Sequence, residues 1–210
     1  MKLPCEAGNI PQPNSGRKGN GMGPTRREIV LGAAALGLLA ARSARAQAVL
    51  TDDGLYRQPW FLESFLDLAE DLEGARRAGK RFAIIWELRG CPYCRQTHLV
   101  NFARPDIAAY VQANFDILQL NLVGARPVTD FDGAKLPEKQ FAAKYGVRYT
   151  PTLQFFPESA EGLASLSPEQ REVARAQGYQ QPDDFLAMFR FVREKAYENQ
   201  TFWEYVKARR

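Results

Sequence analysis

The chain has 210 residues, of which 45% are apolar and 25% charged, an ordinary globular composition that excludes a disordered or fibrous protein. Thirteen Phe, eight Tyr and three Trp supply a core that needs no disulfide stapling. The net charge of +4 is uneven: seven of the 28 basic and two of the 24 acidic residues precede Val49, leaving 21 and 22, a net of −1, which argues against a nucleic-acid partner.

Residues 1–48 read as a flexible N-terminal region and an export signal, and 49–210 as one domain. The first 24 residues are rich in Gly, Pro, Asn and Ser, without apolar periodicity. Arg26-Arg27 then precede an apolar run from Leu31 to Ala41. At about eleven residues this run is too short for the ~20 that a spanning helix needs. Small residues around Ala46 and Ala48 offer cleavage sites after either position. The paired arginines resemble a twin-arginine signal, although Ile29 stands where that motif prefers Phe. The expected location is the periplasm, and processing would remove Cys5. The mature chain would then keep Cys91 and Cys94 in a compartment where disulfides persist.

Apolar spacing from Trp60 to Leu72 predicts an amphipathic helix over Pro59–Ala78, with Phe61 and Phe65 inward, ended by Gly79. Phe82–Trp86 is a short continuous apolar run, the pattern of a strand buried on both faces. A turn at Arg89-Gly90 leads to Cys91-Pro92-Tyr93-Cys94, where Pro92 suits a first helical turn. That helix is expected to pass His98 and Phe102, break at Arg104-Pro105 and resume over Asp106–Asn114. Phe115–Leu122 reads as a second strand, followed by a polar loop containing Gly124, Pro127 and Gly133. A short helix over Leu136–Tyr145 and a strand over Thr152–Phe156 come next; Glu169–Gln177 fits a return strand or a short helix, and a strand over Val173–Gln177 is favoured because Gly178-Tyr179 then leads into a helix. Helices over Asp183–Tyr197 and Thr201–Arg210 complete the chain, the latter anchored by Phe202, Trp203 and Val206. Alternating strands and helices, then an antiparallel pair, predict an α/β mixed sheet covered on both faces, with an extra C-terminal helix.

Cys-x-x-Cys at a helix start, directly after a buried strand and without a second cysteine pair, is a redox signature. Backbone N–H groups at the helix N-terminus stabilise a thiolate on Cys91, and Cys94, one turn on, can resolve a mixed disulfide. A zinc site would need more ligands. His98 makes a Cys₂His metal set conceivable, but the preferred reading is no metal and no cofactor beyond the dithiol. An inert structural disulfide is the remaining alternative.

Together with the buried strand before the dithiol, Gly146-Val147-Arg148-Tyr149-Thr150-Pro151 makes Val49–Ala196 resemble the thioredoxin superfamily. The resemblance implies a thioredoxin-like fold and a cis Pro151 that holds Thr150 beside the dithiol. Glu87–Cys94 with His98 is most similar to the periplasmic thioredoxins of bacterial sulfur-oxidation clusters, the SoxW type. That likeness implies a reductant of disulfides in client proteins, supplied with electrons by a membrane thiol transporter. Pro92 and Tyr93 between the cysteines also resemble disulfide isomerases, which leaves a disulfide donor or isomerase as an alternative. Those relatives, however, carry an N-terminal dimerisation domain, whereas Val49–Gly79 has room only for one helix; a monomer is expected, since nothing in the sequence suggests more. A client-binding module with an incidental disulfide is the non-enzymatic alternative.

In thioredoxins a buried Asp lies six residues before the first cysteine; here Ile85 occupies that place. Glu87, on the same strand face, is expected either to shuttle a proton or to pair with Arg89 or Arg95. Tyr93 is expected to shield the dithiol, Trp86 to lie in the core and His98 to be packed or capped. Arg95 is read either as a thiolate-stabilising neighbour or as a solvated surface residue.

Overall fold

The computed structural model describes residues 48–209. The export-signal reading of the N-terminal segment, including cleavage near Ala46, lies outside these residues.

Four strands form the central sheet, in the order β4-β3-β7-β8. β3 is Arg81–Glu87, β4 Phe115–Asn121, β7 Thr152–Phe155 and β8 Ala174–Gln177. β3 pairs parallel with β4 (Ile84 opposite Leu118) and antiparallel with β7 (Ile84 opposite Gln154). β7 in turn pairs antiparallel with β8. Every residue of β3 is buried, as its apolar run predicts for a central strand covered on both faces.

Alternation along β3 splits the core in two. Ala83 and Ile85 join Phe115, Ile117, Leu153 and Phe155 on one face. That face packs against the long C-terminal helix, Pro182–Arg193, through Phe185, Phe189 and Val192. Phe82, Ile84 and Trp86 face the other way, against Leu68, Leu72, Phe141 and Tyr145. In chain order the helices are α1 (Leu68–Arg77), α2 (Pro92–Gln96), α3 (Pro105–Asn114), α4 (Glu138–Lys144), α5 (Pro182–Arg193) and α6 (Phe202–Lys207).

The sequence reading places α1 nine residues too early. Asp67 is its N-cap, its carboxylate accepting from the amides of Ala69 and Glu70, while Leu66 has φ +65°. Residues 59–67 are therefore irregular, and Phe65, expected inward, is 99% exposed. The helix expected over Leu136–Tyr145 begins later, because Lys135–Pro137 (β6) pairs with Pro127–Thr129 (β5) inside the supposed polar loop. α5 ends at Arg193, with a separate turn at Ala196–Glu198. In α6 the inward anchors are Tyr205 and Val206, whereas Trp203 is exposed.

An additional hairpin, β1 (Val49–Leu50) with β2 (Tyr56–Arg57), precedes α1. Its turn leans on Arg89, whose guanidinium donates to the carbonyls of Asp53 (2.9 Å) and Asp52 (3.4 Å).

At the C-terminal end of α4 a largely buried ionic cluster joins three segments. Arg171 contacts Asp130 (2.8 Å) and Asp132 (3.0 Å), and Lys144 contacts the same two carboxylates. The Tyr145 hydroxyl donates to Asp130 (2.7 Å), and the Tyr145 carbonyl accepts from Arg175 (2.7 Å). The cluster thus sits at the foot of the segment that leads to Pro151.

Candidate active site

The Leu88–Cys91 turn is closed by the Cys91 amide donating to the Leu88 carbonyl (3.1 Å). Gly90 takes φ +75° there, a conformation that glycine adopts without steric cost. This turn delivers Cys91 to the N-cap of α2, directly beyond the C-terminal end of β3. Pro92 occupies the first helical position, where no intrahelical N–H is needed.

Cys91 and Cys94 form a disulfide. Cys91 is partly accessible and Cys94 is buried. The asymmetry assigns roles: an incoming sulfur can reach Cys91, while Cys94 lies behind it. The Cys94 amide donates to Cys91 Sγ at 3.0 Å, and the same N–H favours a thiolate there once the bond is reduced.

The Thr150-Pro151 bond is cis, as the resemblance implied. The Thr150 hydroxyl lies 3.4 Å and its carbonyl oxygen 3.6 Å from Cys91 Sγ. The Pro151 carbonyl accepts from the Gly178 amide (2.8 Å), joining this loop to the end of β8. Tyr93 is exposed and stacks on Tyr179, with ring centroids 6.2 Å apart. Pro92, Tyr93, Thr150 and Pro151 thus all gather around the disulfide.

Glu87 is fully buried at the end of β3, and neither expected arginine partner meets it. Arg89 turns to the hairpin, and Arg95 donates to the Tyr56 hydroxyl (3.2 Å). The partner of Glu87 is His98, whose Nε2 lies 2.9 and 3.0 Å from the two carboxylate oxygens. The Gln58 amide donates to His98 Nδ1 (3.2 Å), which places the imidazole hydrogen on Nε2. Gln119, from β4, donates to Glu87 Oε2 and to the Tyr56 carbonyl (2.6 Å). All four side chains are buried. With both ring nitrogens engaged in this way, His98 does not complete a Cys₂His metal set.

Sequence reasoning missed the Glu87–His98 pair. His98 lies in a π-helical turn, Thr97–Asn101, that continues α2, and π-turns are frequent at functional sites. A lone histidine one turn past the dithiol, facing a strand that ends in Glu, was the available signal. Trp86 is core, as expected, and its indole donates to Gln154.

Between the hairpin and the dithiol lies a cleft of about 370 Å³. Leu55, Tyr56, Glu87, Cys91, Cys94 and Arg95 are among its walls.

Comparison with known proteins agrees with the fold. Residues 68–193 match the family model of the thioredoxin-like domain. A thioredoxin-fold protein from Helicobacter pylori superimposes with a TM-score of 0.55 at 16% identity, covering 71% of this chain and 91% of the other. A thioredoxin from Thermus thermophilus is 22% identical, with a TM-score of 0.45 over 60% of this chain and 83% of its own. No curated protein matches. Fold and paired cysteines together support thiol–disulfide oxidoreductase activity in general, and the chain belongs to the thioredoxin-like domain family.

Proposed function

We propose that this protein is a periplasmic thiol–disulfide oxidoreductase of the SoxW type that reduces disulfides in client proteins of sulfur-compound oxidation. The observation that carries the redox reading is the graded access of the two sulfurs, Cys91 reachable beside Thr150 and Cys94 buried behind it. The Cys91 thiolate attacks a client disulfide and forms a mixed disulfide. Cys94 then attacks Cys91, expelling the second client thiolate and leaving the Cys91–Cys94 bond. Two electrons pass to the client, and its thiolates take up protons. No cofactor beyond the dithiol enters this scheme. A membrane thiol transporter would restore the reduced form, consistent with the export signal read in residues 1–48 and with action as a monomer.

The deciding experiment is the equilibrium reduction potential of Cys91–Cys94 in the mature protein. A value near −270 mV, about that of thioredoxin, is expected of a reductant; a value near −120 mV, about that of the strongest oxidants, would make it a disulfide donor. In parallel, Cys94→Ser is expected to accumulate a mixed disulfide with clients, and Cys91→Ser to form none. Biological activity surviving in both variants would replace the redox reading with the client-binding one.

A further inference from the structure

The β1–β2 hairpin lies upstream of the segment that the thioredoxin-like family model covers, which begins at Leu68. One wall of the cleft beside the dithiol therefore comes from the common domain, and the other from an addition to it. We propose, building on the oxidoreductase reading, that this cleft binds small disulfides bearing carboxylates, which Arg95 and Tyr56 hold and Cys91 reduces.

Size and lining select this class of ligand. At about 370 Å³ the cleft falls low in the range of roughly 300–1,000 Å³ that small-molecule sites occupy. Leu50 and Leu55 of the hairpin face Leu88 and Pro92 across it, an apolar lining suited to a short methylene chain. Cys91 and Cys94 both border the space, whereas Thr150 and Pro151 do not, so it is separate from the loop beside which a client segment would lie.

The polar groups at this wall are donors. Arg95 is exposed, and its Nε donates to the Tyr56 hydroxyl (3.2 Å). Its two terminal nitrogens have no partner among the described residues, and neither does the Tyr56 phenol proton. Guanidinium and phenol thus present unspent donors side by side, the pattern that a carboxylate satisfies. The carboxylates nearby are engaged elsewhere. Glu87 is buried, with its oxygens on His98 and Gln119, and Asp53 accepts from the Thr51 hydroxyl.

The reaction balances with the ligand alone. The Cys91 thiolate attacks one ligand sulfur, the ligand S–S bond breaks, and the first ligand thiolate leaves. Cys94 then bonds to Cys91, the Cys91–ligand bond breaks, and the second thiolate leaves. Two electrons pass to the ligand, and the proton of Cys94 goes to solvent or to a released thiolate.

The test compares two probes, dithiodipropionate with two carboxylates and the neutral hydroxyethyl disulfide. Oxidation of the reduced protein by each is followed by acid quenching and alkylation of the remaining thiols. In Arg95→Gln the rate with dithiodipropionate, taken relative to the neutral probe, is expected to fall about tenfold, and in Tyr56→Phe about threefold. The fall is expected to persist at high salt, which screens steering but not a direct contact. Suberate, in which methylenes replace the two sulfurs, is expected to shift the amides of Gly54–Tyr56 and the Arg95 Nε–H signal saturably. An unchanged ratio in Arg95→Gln, a fall that vanishes at high salt, or suberate shifts confined to Val147–Thr150 would each overturn the proposal. Equal slowing with both probes would also overturn it, since Arg95 would then act on the thiolate and not on the ligand. Failure of the unmodified protein to react with either disulfide would instead remove the oxidoreductase reading, whatever suberate does.

Discussion

Asp71 shows how a single side chain can work against the fold at neutral pH. Burial in the first turn of α1 raises its carboxyl to about 6, and the nearby charges of Asp67, Glu70 and Asp116 add to this, against the lowering effect of the Ser64 hydroxyl. A folded-state value above the ordinary 3.8 means that Asp71 favours the fold in its protonated form. Its contribution is complete below 3.8 and is lost as pH rises through about 6. Asp71→Asn keeps an oxygen for Ser64 and removes the charge. Urea unfolding as a function of pH is expected to show the variant gaining on wild type between about pH 4 and pH 7; parallel curves would show that the charge costs nothing. At this scale the dithiol, Pro92, Tyr93 and the Thr150-Pro151 pair were readable because their chemistry is written in short spacings. The buried Glu87 contact was not, because its partner comes from a π-turn and its supports from Gln58, just after β2, and from β4, brought together only by folding.

Among the elements, strands β3, β4 and β7 follow from continuous or alternating apolar runs and α5 from its apolar stripe, whereas β8 has a pattern that fits a strand or a short helix and is placed by the turn and helix that follow it. The two small hairpins were invisible for a physical reason: strands of two or three residues carry too few side chains to show a period. The late start of α1 is a capping effect, since the Asp67 carboxylate and the backbone of Leu66 override an apolar spacing that continues upstream. The β1–β2 hairpin is held closely enough to be tested. A Cβ at Gly54 would stand 2.6 Å from Arg89 Nε, at a φ of +79°. Gly54→Ala is therefore expected to displace Arg89 from the Asp52 and Asp53 carbonyls and to cost about 1 kcal/mol. Hydrogen exchange should quicken at Gly54 and Leu55 while the β3 amides keep their protection. Unchanged hairpin exchange would show that Arg89 does not hold it.

For the molecule as a whole, the mixed sheet with helices on both faces was legible from the order of elements alone, because a strand buried on both sides demands two covering layers. The ionic cluster at the foot of the Pro151 segment was not, since Asp130, Asp132, Lys144 and Arg171 are ordinary surface residue types in sequence. Burial alone would raise Asp132, but Lys144, the Ala134 amide and Arg171 outweigh it and hold the carboxyl well below the usual carboxylate range. A lowered folded-state value means that its contribution persists as acid is added and is lost only below that range. Asp71 becomes less costly over the same interval in which Asp132 remains charged. The amide resonances of Val147–Thr150 are thus expected to hold their positions between about pH 7 and pH 4.5, and to drift over that interval in Arg171→Met. Drift in the unmodified protein would count against this role of the ionic cluster. Whatever acidity its surroundings impose, the protein carries, beneath the loop that faces its reactive sulfur, an acid-tolerant footing that keeps the exchange geometry set while other carboxylates titrate.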